Sequence, residues 1–183
     1  YSLMKLHLLN RSSTQNHSFT VTSNRYPNFL RVWHHHPELE LVLVSQSTGT
    51  RFIGDSIEKF GPGDVVLIGK NLPHMWLNDD VYFQDQANLI AEAIAVHFKD
   101  DFLGSQIFSV LEMKHIGALF ERATLGIKFA AVETKIIERI NELPVLENFE
   151  KTIGLIEILH MLAMNKEYKL LSSKGFVNSF GEG

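Results

Sequence analysis

The sequence predicts a mainly β domain followed by C-terminal helices, and three observations carry that expectation. As far as Phe98 the chain is a series of short apolar stretches separated by glycine, proline, asparagine and aspartate, the pattern of a sandwich or barrel. Beyond Asp100 the apolar residues recur every three or four positions, which is the helical period. The composition, 45% hydrophobic and 21% charged over 183 residues, is that of an ordinary globular chain able to bury a substantial core.

The elements follow in order. Phe19, Val21 and the threonines between them predict a first strand, ended by Asn24 and Pro27. Leu30 to His36 and Glu38 to Ser47 read as strands on either side of Pro37, which cannot donate to a ladder and belongs at a bend or edge. Thr50 to Phe60 is a hairpin turning at Gly54-Asp55, where glycine permits the positive backbone dihedral of a tight turn. Gly61-Pro62-Gly63-Asp64 is a second turn. The apolar run to Ile68 predicts a strand buried on both faces, and His74 to Leu77 and Leu89 to Phe98 complete the set.

Ile107, Phe108, Leu111, Leu119 and Phe120 predict a helix from Gln106 to Ala123, and Thr124 to Phe129 a turn or short strand. Val132, Ile136, Ile137, Ile140 and Leu143 mark a second helix, stopped by Pro144. A third helix carries two apolar stripes, Phe149, Ile153, Ile156, Leu159 and Ala163 on one and Leu155, Ile158 and Leu162 on the other. A helix apolar on two sides needs two partner surfaces. The tail from Ser172 to Gly183 has the composition of a linker.

The chemistry is concentrated in two segments, Trp33-His34-His35-His36-Pro37-Glu38-Leu39-Glu40 and Gly61 to Asn78 with His74. Side chains alternate along an extended chain, so His34, His36 and Glu40 share one side while Trp33 and His35 take the other. These segments resemble the two signature motifs of the cupin barrels. His34, His36 and Glu40 stand in the ligand positions of the first motif, and Gly63, His74 and Asn78 fit the spacing of the second. Asn28 stands in place of the opening glycine, the closing glycine comes late at Gly49, and Gly69 and Asn71 replace a proline and a glycine of the second motif. These departures affect turns and leave all four ligand positions filled.

The wording around the motifs, with Gly49-Thr50-Arg51-Phe52-Ile53-Gly54-Asp55 and Leu72-Pro73-His74, is similar to the N-terminal sensor domains of AraC-type transcription regulators. The resemblance implies a cupin barrel, a double-stranded β-helix of jelly-roll type, over residues 1–103. It implies a helical dimerisation and linker region over 104–171, and a linker over 172–183 leading to a DNA-binding domain absent from this sequence. It further implies a homodimer that binds a small-molecule effector, a sugar by default, works in the cytoplasm, is not an enzyme, and reaches DNA only through that further domain.

The effector site is expected at His34, His36, Glu40, Arg51, His74 and Trp76. His34, His36, Glu40 and His74 also make a ligand set for zinc, iron, nickel or manganese, the other possibility being a metal-free polar pocket. His35 is expected to be a surface or sheet-packing histidine; His97, near the end of the last strand, is placed either at the pocket mouth or, by preference, in simple packing; and Asn78 is either a ligand contact or a turn cap. A dimer surface is expected from Ile153, Leu155, Ile156, Ile158, Leu159 and Leu162, the alternative being that both stripes pack inside one subunit.

Several classes are excluded or left unsupported. With no cysteine there is no disulfide framework, thiolate metal site or cysteine nucleophile. A formal charge of −4 is wrong for a module that neutralises phosphates. Neither a phosphate-binding glycine loop nor a nucleophile elbow occurs, and no stretch reads as a signal peptide or membrane span. A metal-dependent cupin isomerase or dioxygenase using the same four residues remains the alternative reading, and a purely structural dimerisation module is a third.

Overall fold

The structure is a computed structural model and describes residues 5–9, 17–85 and 88–181. Its strands are β1 (His7–Leu8), β2 (Phe19–Tyr26), β3 (His34–His35), β4 (Leu39–Gln46), β5 (Gly49–Ile53), β6 (Ser56–Phe60), β7 (Val65–Ile68), β8 (His74–Asn78), β9 (Ala91–Phe98), β10 (Ile127–Phe129) and β11 (Tyr168–Leu170). The helices are α1 (Lys114–Ala123), α2 (Thr134–Glu142), α3 (Asn148–Met164) and α4 (Lys174–Gly181).

The strands form two sheets, one ordered β1-β3-β8-β5-β6 and the other β11-β10-β7-β4-β9-β2. The mainly β fold with C-terminal helices is as expected. Among the described residues the ladders make two separate sheets.

The larger sheet lies between two partners, and the alternation along its central strands decides which residue meets which. Leu39, Leu41 and Leu43 of β4, Val65 and Leu67 of β7, and Ile94, Val96 and Phe98 of β9 share a core with the buried faces of α1, α2 and α3. Val42, Val44, Val66, Ile68 and Ala93, from the same strands, pack instead with Ile53, Phe60 and Trp76 of the smaller sheet. Burial on both faces explains why these strands read as nearly unbroken apolar runs.

The first predicted helix is shorter than the sequence suggests. Only Lys114 to Ala123 is α-helical, with a single 3-10 turn at Ile107–Ser109. Phe108 is buried, but Leu111 is 72% exposed, so the apolar stripe does not continue across the turns before Lys114. The second helix ends at Glu142, ahead of Pro144, as expected.

The stretch from Thr124 to Phe129 contributes β10, which pairs antiparallel with β7 and is paired in turn by β11. Residues of the predicted helical region therefore extend the larger sheet. The segment of linker composition is shaped differently from expectation, because Lys174–Gly181 is the helix α4. Val177 packs against the inter-sheet core and the Phe180 ring lies edge-on to His35 at 5.6 Å.

The dimer expectation needs correction for four of its six residues. Leu155, Ile158, Leu159 and Leu162 are fully buried within the chain, because α3 packs against α1 and the larger sheet. Ile156 is half-buried, and Ile153, with its neighbour Phe149, is exposed.

Candidate metal and effector site

Four side chains from three strands and one bend converge between the sheets. His34 on β3 is paired in register with His74 on β8, His36 follows β3 directly, and Glu40 lies on β4. One ligand atom from each of these four residues lies within 4.8 Å of all the others, and His36, Glu40 and His74 are buried. The grouping expected from the sequence is therefore present.

The hydrogen bonds define the chemistry of the rings. Each Nδ1 donates to a main-chain carbonyl: His34 to Val32 at 2.7 Å, His36 to Glu38 at 3.0 Å and His74 to Leu72 at 2.7 Å. A carbonyl only accepts, so each Nδ1 carries the proton, and in the neutral ring Nε2 is a bare lone pair. Nε2 of His36 and Nε2 of His74 each stand 3.0 Å from Glu40 Oε2, which is also an acceptor. That approach is favourable only when a positive centre joins the groups, either a second ring proton or a cation. Donation of the far ring nitrogen to a carbonyl is the outer-shell arrangement that orients metal-ligating histidines. The residues present thus fit a divalent metal, with His34, His36, His74 and Glu40 as its holders.

The electrostatics agree. Burial, with His74 alongside, lowers the His34 pKa from 6.5 to about 4, so the ring is neutral and able to ligate near neutral pH. Burial alone would raise the Glu40 pKa. The His97 charge outweighs it, aided by the ring nitrogens of His36, His74 and His97 that face Glu40 Oε2, and holds the carboxyl well below the usual carboxylate range.

His97 is the residue for which the sequence favours packing and the structure shows the pocket-side placement instead. It is 3% exposed, sits opposite Glu40 in the β4–β9 register, and brings its Nε2 to 3.1 Å from Glu40 Oε2. The available signal was the size alternation along β9, where Ala93, Ala95 and His97 alternate with the bulkier Ile94, Val96 and Phe98. Small residues at every second position mark the face that opens on a cavity.

That cavity has a volume of about 640 Å³ and reaches His34, Glu40, His97 and Trp76. Its walls include Val42, Ala93, Ala95 and Phe29, with Arg31 among its lining residues. The volume is in the range of small-molecule sites, and apolar walls with a few convergent polar groups are their usual make-up. Trp76 is placed as expected.

Arg51 is not. It is 1% exposed, and its guanidinium is held by Glu58 at 2.5 Å, Asp64 at 3.2 Å and the Lys59 carbonyl at 3.1 Å. These carboxylates satisfy the charge that an anionic effector would need, so Arg51 ties β5, β6 and the following turn together. Asn78 is likewise structural, accepting from Phe29 N and donating to the Thr48 carbonyl.

The fold and this site define a class of chain with a cavity and a buried His-His-Glu-His group set between two sheets. Residues 16–77 match the model of the AraC-like ligand binding domain. Among solved structures, ToxT from Vibrio cholerae is similar in fold, with 11% identity and a TM-score of 0.50 over 86% of this chain and 60% of ToxT. This chain therefore spans less than two thirds of ToxT's length. A cupin 2 conserved barrel domain protein from Salinispora arenicola CNS-205 aligns with 18% identity and a TM-score of 0.38, over 49% of this chain and 71% of that one. The polyketide cyclase RemF from Streptomyces resistomycificus aligns with 15% identity and a TM-score of 0.36, over 56% and 76%. No curated protein matches. Among the described residues no helix is long and apolar enough to cross a membrane.

Proposed function

We propose that this chain is the effector-sensing domain of an AraC-type transcription regulator, working in the cytoplasm as a homodimer and biasing a separate DNA-binding domain. The observation that carries the reading is the cavity between the sheets, which is lined by His34 and Glu40 of the His34, His36, Glu40 and His74 group. The family match over residues 16–77 supports it. In the same reading the group holds one divalent transition ion. Held by these residues, such an ion would supply Lewis acidity at the edge of the cavity.

The residues of the chain then divide the work. Trp76, Phe29, Val42 and the alanines of β9 enclose an apolar body, while the polar lining residues fix its orientation. That lining fits a small organic molecule with an apolar body and one oxygen-rich end better than it fits the sugar expected from the resemblance. A bound effector changes the domain's behaviour only in so far as it prefers one arrangement of sheets, helices and partner subunit.

The test is elemental analysis of untagged protein together with a thermal-shift screen of small organic acids and sugars. The reading expects one metal per chain, lost in His74→Ala. It also expects a rise in melting temperature with a subset of the ligands, since a ligand selective for the native state stabilises it by mass action. Turnover of a screened compound would instead favour the cupin isomerase or dioxygenase built on the same four residues.

A further inference from the structure

Glu40 is the one acidic residue in the strand Leu39–Gln46, and its register partner on β9 is His97. His97 is not one of the four grouped ligand residues, yet its Nε2 lies 3.1 Å from the same carboxylate oxygen that faces His36 and His74. It lines the cavity beside Glu40, so both partners of this contact border the effector space.

Resting on the metal reading above, we propose that His97 is a positioning residue. It donates a hydrogen bond from Nε2 to Glu40 Oε2 and fixes how that carboxylate is presented to the ion. Three features carry this beyond simple packing. The contact is a directed polar one at hydrogen-bond distance, made where the other inward residues of β9 are alanines. Both partners are buried, where a polar contact is worth more than it is in bulk water. And Glu40 is the single carboxylate of the group, so its rotation alters the charge at the centre more than that of any imidazole. Outer-shell partners of this kind orient metal ligands, and their loss typically weakens metal binding about 10- to 100-fold.

Cobalt(II) titration of the metal-free protein, followed by its visible absorption, tests the assignment. Wild type should take up one cobalt ion per chain with a defined absorption band. His97→Leu, which fills the space without donating, should still bind one ion, about 10- to 100-fold more weakly and with a shifted band. His97→Gln, which retains an N–H donor, should restore most of the affinity and the wild-type band. If His97→Leu does not fold, His97→Asn, polar but too short to reach Glu40, takes its place with the same expectation. A leucine or asparagine variant with wild-type affinity and spectrum overturns the proposal while leaving the metal site standing. A wild-type protein that binds no cobalt overturns the metal reading and this assignment with it.

Discussion

The two faces of the larger sheet are built from alternate residues of the same strands and do opposite things. Toward the helices β4 presents Leu39, Leu41 and Leu43, and β9 presents Ile94, Val96 and Phe98, all but inaccessible to water. Toward the smaller sheet the same strands present Glu40, Val42 and Val44, and Ala93, Ala95 and His97. One face is close-packed and purely apolar. The other holds a carboxylate, an imidazole and a cavity of about 640 Å³. The difference teaches that a shift of one residue along a strand separates what holds the fold together from what binds.

Placing a charge on each face in turn is the sharpest way to break this comparison. Leu41→Asp puts a carboxylate into a fully buried apolar layer with no cation provided for it. An unpaired buried charge costs several kcal/mol, on the order of the whole stability of a domain. The expected outcome is no cooperative thermal unfolding transition. Glu40→Leu, one residue earlier, removes a charge and fills the space with apolar atoms. It should fold, lose about 1 to 3 kcal/mol through the hydrogen bonds it no longer accepts, and bind no metal. Circular dichroism melts with metal analysis check both. A folded Leu41→Asp beside an unfolded Glu40→Leu would reverse the roles assigned to the two faces.

How much of this was legible in the sequence follows from the same alternation. His34, His36 and Glu40 were readable because their spacing puts them on one side of an extended chain, and the second motif supplied His74. His97 was not, because a single histidine carries no spacing of its own, and its partner lies across a ladder whose register the sequence does not state. Arg51 was misplaced for a related reason. Its partners Glu58 and Asp64 are near in sequence, but only the β5–β6 ladder and the following turn bring them onto the guanidinium. The helices were legible in their periods. Which stripe of α3 faced inward was settled by α1 and the sheet, and the sequence had offered both.

That stripe gives a second, smaller test. Helix α3 buries Leu155, Ile158, Leu159 and Leu162 on the sealed side and leaves Phe149 70% and Ile153 40% exposed. If the homodimer forms through α3, these exposed residues are where it does so. Phe149→Asp with Ile153→Asp should then raise the dimer dissociation constant at least tenfold by sedimentation velocity. The monomer should keep its stability to within about 0.5 kcal/mol, as surface substitutions usually do. A wild-type chain that sediments as a monomer, or a double variant that still dimerises fully, removes α3 from the interface.

The smallest expected effect concerns α4, which meets the protein partly through polar contacts, unlike the three helices on the sealed face. Asp55, at the tip of the β5–β6 hairpin, accepts hydrogen bonds from Ser173 Oγ at 2.5 Å, Ser173 N at 2.7 Å and Ser172 Oγ at 3.0 Å. Gly54 makes the approach possible, since it has a φ of +55° and a Cβ there would lie 2.1 Å from Ser172 Oγ. The Ser173 side-chain and backbone bonds hold the Asp55 carboxyl below its ordinary 3.8. A pKa depressed in the folded state means that the attachment is at full strength above about pH 3.8 and is lost as pH falls through the lower, folded value. Hydrogen-exchange protection of Phe176 and Val177, taken relative to α3, should therefore be high at pH 6 and drop at a pH below 3.8 in wild type. In Asp55→Asn it should be low at both. A protection ratio that ignores both the pH and the substitution would mean that α4 is held by its apolar contacts alone, as the helices across the molecule are.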